Sequence, residues 1–335
     1  MSQATRSKSL VRIVRLALVV LSLVLAPAAH AQLRAARPCA LAKQPMLATL
    51  AGAESGGPEQ TIELINPTTA QVVEARPVKP GEVDLAEIVP RLWTNDSAQV
   101  YCVQAVVGKE RVGPPLVLTP MVAPRYVSRL ERDGTPQLPP VAKSRVLSGY
   151  WMYSEQRAVV RSSKGELVFA LRPDAAPTSV AHFRTLIEKQ FYSGIRVHRI
   201  VSLSGRTLPD IVQFGDPTGT GQGGPGYFID YEPSPLRHGF GSLSFARTSE
   251  PNSAGSQVIV ALGREAATQL DGKYTVFGQL VSGAETLAAI AKTPVDADGK
   301  PRGALTIESV TLVDAPPFGA GPKPETDPFD KPTTR

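Results

Sequence analysis

The sequence predicts a mainly β protein built from two units, and three observations carry that prediction. Residues 60–119 hold short alternating apolar runs broken by turn residues; residues 156–313 hold further short strands with only two helical patterns; a proline-rich stretch divides the two regions. A chain of 335 residues with 42% hydrophobic content is globular and of a length that suggests about two domains.

The first segment, residues 1–31, has the form of a secretory signal peptide. Arg6, Lys8, Arg12 and Arg15 precede an apolar run from Leu16 to Leu25, and Ala29-His30-Ala31 supplies a small-x-small cleavage site. The apolar run is about half the length of a bilayer-spanning helix, which argues against a stable membrane anchor after cleavage. The expected location is therefore outside the cytoplasm, in the periplasm or the extracellular space. These four charges account for much of the formal net charge: subtracting them from +6 leaves +2. With no basic stripe and no interleaved aromatics, a nucleic-acid partner is not expected.

Residues 32–122 are expected to form a β-rich module. Thr61–Ile65 alternates and stops at Asn66-Pro67, Gln71–Glu74 stops before Pro77, and Ala98–Val107 is the longest alternating run. Gly108-Lys109-Glu110 turns this run back into Leu116–Thr119, and the spacing of the strands suggests a β-sandwich or part of one. The run through Tyr101, Val103, Ala105 and Val106 resembles the last hairpin of a fibronectin type III or immunoglobulin-like domain. Asn95-Asp96-Ser97 fits a glycosylation sequon. Cys39 and Cys102 are the only cysteines, so an oxidising compartment makes one disulfide the simplest expectation, with two buried free thiols as the alternative. No histidine lies near either, and no metal site is expected.

Residues 123–154, with Pro124, Pro136, Pro139 and Pro140, are read as a linker, and a second domain follows over 155–314. Ala158–Arg161 and Glu166–Leu171 flank the turn Ser163-Lys164-Gly165 as a hairpin. Pro177-Thr178-Ser179 opens a helix with Val180, Phe183, Leu186 and Ile187 on one face. Ser282-Gly283-Ala284-Glu285 matches a capping box for a second helix with Leu287 and Ile290 inward, and Leu305–Val313 is the last strand. The tail 315–335 holds six prolines and two glycines and is expected to be disordered.

Two motifs fail on context. Gly219-x-Gly221-x-x-Gly224 matches a dinucleotide fingerprint, but Pro225-Gly226 follows where that fingerprint needs a helix to meet the pyrophosphate. His198, Asp216 and Ser256 could be drawn as a hydrolase triad, yet no Gly-x-Ser-x-Gly elbow surrounds Ser256.

What remains is an ordered series: hairpin, helix, Phe191-Tyr192-x-Gly194, His198-Arg199-Ile200, Gln213-x-Gly215-Asp216, the glycine-rich loop, Leu243-Ser244-x-Ala246, Pro251-Asn252-x-x-Gly255-Ser256-Gln257, and Leu270-Asp271-Gly272-Lys273-x-x-Val276-Phe277-Gly278. Over about residues 159–313 this order resembles the cyclophilin family of peptidyl-prolyl cis-trans isomerases. The resemblance implies a closed eight-stranded antiparallel barrel capped by two helices, with a substrate groove on its outer wall. It implies no metal and no cofactor. The implied partners are proline-containing peptides or unfolded exported proteins.

The chemistry asked of such a site follows from the bond. Amide resonance sets a rotation barrier of about 18–20 kcal/mol, and X-Pro is nearly balanced between cis and trans. A donor to the prolyl nitrogen weakens the resonance as that nitrogen becomes pyramidal. By resemblance Arg199 is the catalytic arginine, Gln213 holds peptide and arginine, and Gln257 and Ala246 bind the peptide backbone.

The apolar pocket departs from the family. Asp210 stands where a phenylalanine is expected, although the lengthened path from Arg199 to Gln213 makes that alignment ambiguous; Ile211 is the next pocket position. Ile259 replaces the second phenylalanine, Leu270 is kept, Gln269 replaces an aromatic and Tyr274 replaces a histidine. Ala246-Arg247-Thr248 replaces alanine-asparagine-alanine, so Arg247 also borders the groove. Losing two rings predicts a loss of a few kcal/mol of transition-state binding, with weak or altered activity and weak cyclosporin binding. Two functions therefore stay open: an exported prolyl isomerase assisting folding, and a catalytically degraded cyclophilin-fold peptide-binding or scaffold protein.

Overall fold

The structure, a computed structural model, describes residues 32–51, 60–94, 98–122, 129–130, 136–137, 146–205 and 208–326. The segment read as a signal peptide and the sequon at Asn95 lie outside the described residues.

The N-terminal region forms two antiparallel sheets. Strands β1 (Gln32–Ala35), β3 (Leu47–Ala51) and β6 (Gly81–Asp84) make the smaller one. The larger one has the order β2-β11-β8-β7-β4-β5, from Cys39–Leu41 (β2), Gln60–Ile65 (β4), Val72–Val78 (β5), Tyr101–Val107 (β7), Glu110–Val122 (β8) and Leu147–Ser154 (β11). Leu33, Ala48 and Leu50 from the first sheet meet Ile62, Leu64, Tyr101, Val103, Leu116, Leu118 and Tyr150 from the second in one buried core. Period-two alternation directs these side chains inward. A helical turn α1 (Leu85–Ile88) closes one side, capped by the Asp84 carboxylate accepting from Ala86 N.

Two expectations for this region are corrected. The stretch read as a linker over 123–154 ends in β11, which pairs with both β2 and β8; its run Tyr150-Trp151-Met152-Tyr153 is strand-forming and apolar, and the prolines upstream masked that signal. Earlier in the same stretch, β9 (Arg129–Leu130) and β10 (Pro136–Gln137) pair with each other. The disulfide does not form: Cys39 and Cys102 are both free. They lie on β2 and β7, three strand positions apart, which at roughly 4.8 Å per strand places them about 14 Å apart, twice the reach of a disulfide.

The second region is a closed antiparallel barrel with strand order β12-β13-β18-β16-β17-β15-β14-β19. Its strands are β12 (Gln156–Ser162), β13 (Gly165–Leu171), β14 (Ile195–Val201), β15 (Ile211–Phe214), β16 (Ser242–Phe245), β17 (Val258–Ala261), β18 (Val276–Ser282) and β19 (Thr306–Asp314). The interior is filled by Phe169, Val212, Phe214, Leu243, Phe245, Val258, Val260 and Phe277. Phe245 and Phe277 stack at 4.4 Å. Helix α2 (Pro177–Glu188) covers one end with Val180, Phe183, Leu186 and Ile187 buried, and the Glu232 carboxylate takes up its free Thr178 and Ser179 N–H groups. Helix α3 (Ala284–Ala291) buries Leu287 and Ile290, but the capping box is not made. Gly283 is the N-cap at φ 103°, and a Cβ there would collide with the Glu166 carbonyl, so backbone geometry takes the place of a side-chain cap.

The tail is also corrected. Residues 315–326 lie against the body of the molecule: Ala315 is buried, and Phe318 packs against Ile65, Cys102 and Val117. Phe318 N donates to Gln104 Oε1 at 2.8 Å, and the Arg111 guanidinium sits 5.6 Å from the Phe318 ring centre. Proline-rich composition hid one aromatic anchor. Residues 327–335 lie outside the described residues.

Candidate functional site

Strand pairing aligns one row of residues across four strands. Arg199 on β14 faces Gln213 on β15, Gln213 faces Ile259 on β17, and Ile259 faces Ser244 on β16. The flanking Val212, Phe214, Val258 and Val260 point into the barrel core, so alternation puts Arg199, Gln213, Ile211 and Ile259 on the outer wall. A register shift between Val197 and Arg199 brings Arg199 opposite Gln213. Arg199 is exposed and Gln213 is buried.

The polar side of the wall is wired together. Gln213 Nε2 donates to Gln257 Oε1 at 2.7 Å. Gln257 Nε2 in turn donates to the carbonyls of Gly221 (3.0 Å) and Gly223 (2.9 Å). The glycine-rich loop is itself folded around Asp216, whose carboxylate accepts from Thr218 N (2.7 Å), Thr218 Oγ1 (2.8 Å) and Gly221 N. Burial works to raise the Asp216 pKa, but these hydrogen bonds outweigh it and hold the carboxyl well below its usual range. Gly221 has φ 87°, and no helix follows the loop; the dinucleotide fingerprint is absent as a structure.

The apolar side gathers the predicted pocket. Ile211, Ala246, Ile259 and Leu270 form one buried cluster, with Val201, Leu203 and Tyr274 packed against it. Arg247 lies over the Tyr274 ring, its guanidinium carbon 4.8 Å from the ring centre. Asp210 does not join this cluster. It is buried, and its Oδ2 accepts from Ser202 Oγ, Leu203 N, Ser204 N and Ser204 Oγ. Asp210 thus folds the lengthened β14–β15 connection, and the apolar pocket position falls to Ile211 beside it.

The triad drawn from His198, Asp216 and Ser256 is not assembled. Ser256 is fully buried and donates to Gly215 O at 2.7 Å, while Asp216 is occupied by its loop. Burial lowers the His198 pKa, partly offset by the Asp216 carboxylate and by the Gln257 side chain. The sequence reading missed Ser244, whose buried hydroxyl lacks a partner among the described residues while sharing the row of Arg199 and Gln213. Its motif was visible, but only register shows which way the side chain faces. A separate concavity, lined by Ile200, Asp210, Leu262, Lys292, Val295 and Asp296 among others, contains none of Arg199, Gln213, Gln257, Ile211, Ile259 and Leu270.

With this geometry in hand, comparison with known proteins identifies the family. The family model for cyclophilin type peptidyl-prolyl cis-trans isomerase/CLD matches residues 158–312. A putative peptidyl-prolyl cis-trans isomerase of Staphylococcus saprophyticus is 31% identical over 191 residues, covering 48% of this chain and 93% of that protein. Its counterpart in Staphylococcus epidermidis is 34% identical over 189 residues, covering 48% and 92%. A solved cyclophilin type isomerase of Cryptosporidium parvum shares 31% identity, with a TM-score of 0.44, covering 48% of this chain and 99% of that one. The chain belongs to the cyclophilin-type peptidyl-prolyl cis-trans isomerase family.

Proposed function

We propose that this protein is an exported peptidyl-prolyl cis-trans isomerase that assists the folding of other exported proteins. The observation that carries the reading is the facing of Arg199 and Gln213 on adjacent strands beside the apolar cluster of Ile211, Ala246, Ile259 and Leu270. A proline ring seated on that cluster has its amide beside the polar row. Arg199 then donates to the prolyl nitrogen as resonance weakens, and Gln213, fixed by Gln257, holds the peptide carbonyl and the arginine side chain in register. Ala246 and Gln257 bind the peptide backbone; Arg247, Ile259, Leu270 and Tyr274 border the ring. The branched aliphatic Ile211 and Ile259 keep the pocket apolar with less contact area than aromatic rings would offer, which supports a modest rate.

Export rests on the N-terminal segment, with its four basic residues, apolar run and Ala29-His30-Ala31. The test is exchange spectroscopy of an Ala-Pro peptide with the chain produced from residue 32, together with fractionation of cells making the full chain. Faster cis-trans exchange and recovery outside the cytoplasm support the reading. Binding without faster exchange supports instead the peptide-binding scaffold.

A further inference from the structure

Arg247 lies over Tyr274 at the edge of the apolar cluster, and its hydrogen bonds go to backbone carbonyls. Its Nε donates to Lys273 O at 2.8 Å, and its Nη1 donates to Thr248 O at 2.8 Å and Ser249 O at 3.1 Å. These bonds hold the guanidinium over Tyr274, its carbon 4.8 Å from the ring centre, and Tyr274 packs against the cluster of Ile211, Ala246, Ile259 and Leu270. All three acceptors are neutral carbonyls. No carboxylate among the described residues forms an ion pair with Arg247, and Nη2 has no hydrogen-bond partner among them. Glu250, the acid closest in sequence, is exposed and spends its backbone N–H on Thr248 Oγ1. Lys273, whose carbonyl accepts from Arg247, makes no ion pair among the described residues.

A planar cation held by three backbone carbonyls, set over an aromatic ring and without an ion-pair partner among the described residues, loses little entropy when an anion arrives. We propose that Arg247 is a specificity-determining residue that selects proline peptides carrying a carboxylate within two residues of the proline. The inference rests on the prolyl-isomerase reading of the groove, because that reading seats the proline ring beside Tyr274. It deepens the reading by naming the substrate class: acidic rather than neutral segments around the proline. The carboxylate can come from an Asp or Glu side chain or from a chain terminus, and the chemistry offered by Nη2 is the same for both.

The test measures dissociation constants by NMR titration of the chain with acetylated, amidated Ala-Pro peptides that carry Glu or Gln at each of the two positions before and after the proline. A parallel pair ends one residue after the proline with a free or amidated C-terminus. Binding at least about threefold tighter for a carboxylate member of one pair is expected at low salt, shrinking as salt rises. The pair that shows the preference identifies the source of the charge. Arg247→Gln is expected to bring that ratio to one. Equal binding within every pair, or a preference that persists in Arg247→Gln, overturns the proposal; if the variant does not fold, a salt-independent ratio in the wild-type chain does so. Isomerisation is read separately on the Gln peptides, so loss of catalysis would count against the enzyme reading while the affinity ratios still decide this one.

Discussion

The amide of Gln213 donates to the side-chain oxygen of Gln257 at 2.7 Å, and Gln257 returns its own amide to the carbonyls of Gly221 and Gly223. One glutamine on the barrel wall is thus fixed in orientation by a loop that reaches it through a second glutamine.

Breaking that relay is expected to blunt activity without unfolding the barrel. Gln257→Leu removes the acceptor of Gln213 and leaves two loop carbonyls to water, a loss of about 1 kcal/mol per net hydrogen bond. The expected result is a fall in kcat/KM of about tenfold, read by exchange spectroscopy. Faster amide exchange in residues 218–226 is expected to accompany it, with an unchanged far-ultraviolet dichroism spectrum.

The two cysteines are expected to behave as thiols of unequal reactivity. Burial pushes the Cys102 thiol well above its usual pKa, whereas Cys39 is only partly buried. Alkylation of the native protein without reductant is expected to modify Cys39 first and Cys102 only on unfolding. Intact mass is expected to be the same with and without reduction.

Phe318 holds the C-terminal segment to the N-terminal sheets through Ile65, Cys102, Val117 and the Arg111 guanidinium. Because Phe318 is only partly buried, Phe318→Ala is expected to cost about 2 kcal/mol rather than the larger loss of a fully buried ring. Chemical denaturation followed by fluorescence checks the value.

Glu155 lies where β11 runs into β12, its backbone N–H bonded to Pro115 O and its carbonyl to Ala315 N. Burial first, and the Asp174 carboxylate second, raise its pKa to about 7, against Arg172 and Arg157. A carboxyl whose folded pKa exceeds its unfolded value makes the folded state bind more protons, so its presence lowers stability as pH rises from about 4.5 to about 7. Glu155→Gln is expected to be more stable than the wild type at pH 8 by about 1–2 kcal/mol, with the difference closing below pH 5. Melting curves across that range test the sign.

The site was legible in the sequence to the extent that its chemistry sits in short ordered motifs. Arg199, Gln213, Ile211 and Ile259 share the outer wall, Gln257 bonds to Gln213 beside them, and Leu270 and Tyr274 pack against the apolar part from the segment that follows β17. Asp210 misleads because an elongated β14–β15 connection has no register in one dimension; only the hydrogen bonds its carboxylate accepts from Ser202, Leu203 and Ser204 show it folding that connection. Ser244 was hidden because a serine inside an apolar strand does not reveal its face. In the N-terminal region the alternating strands could be read, but strand order could not, and order is what separates Cys39 from Cys102. β11 and Phe318 were lost to their proline-rich surroundings, where composition spoke for disorder and a few apolar residues carried the structure.

Arg199 is expected to carry the catalysis. Cis-trans exchange of one Ala-Pro peptide, measured with the wild-type chain, Arg199→Ala and Arg199→Lys at equal folded concentration, tests it most directly. A fall of roughly a hundredfold is expected in Arg199→Ala, as for loss of one preorganised donor, with little recovery in Arg199→Lys and retained peptide binding. Equal exchange rates for the wild type and Arg199→Ala would contradict it.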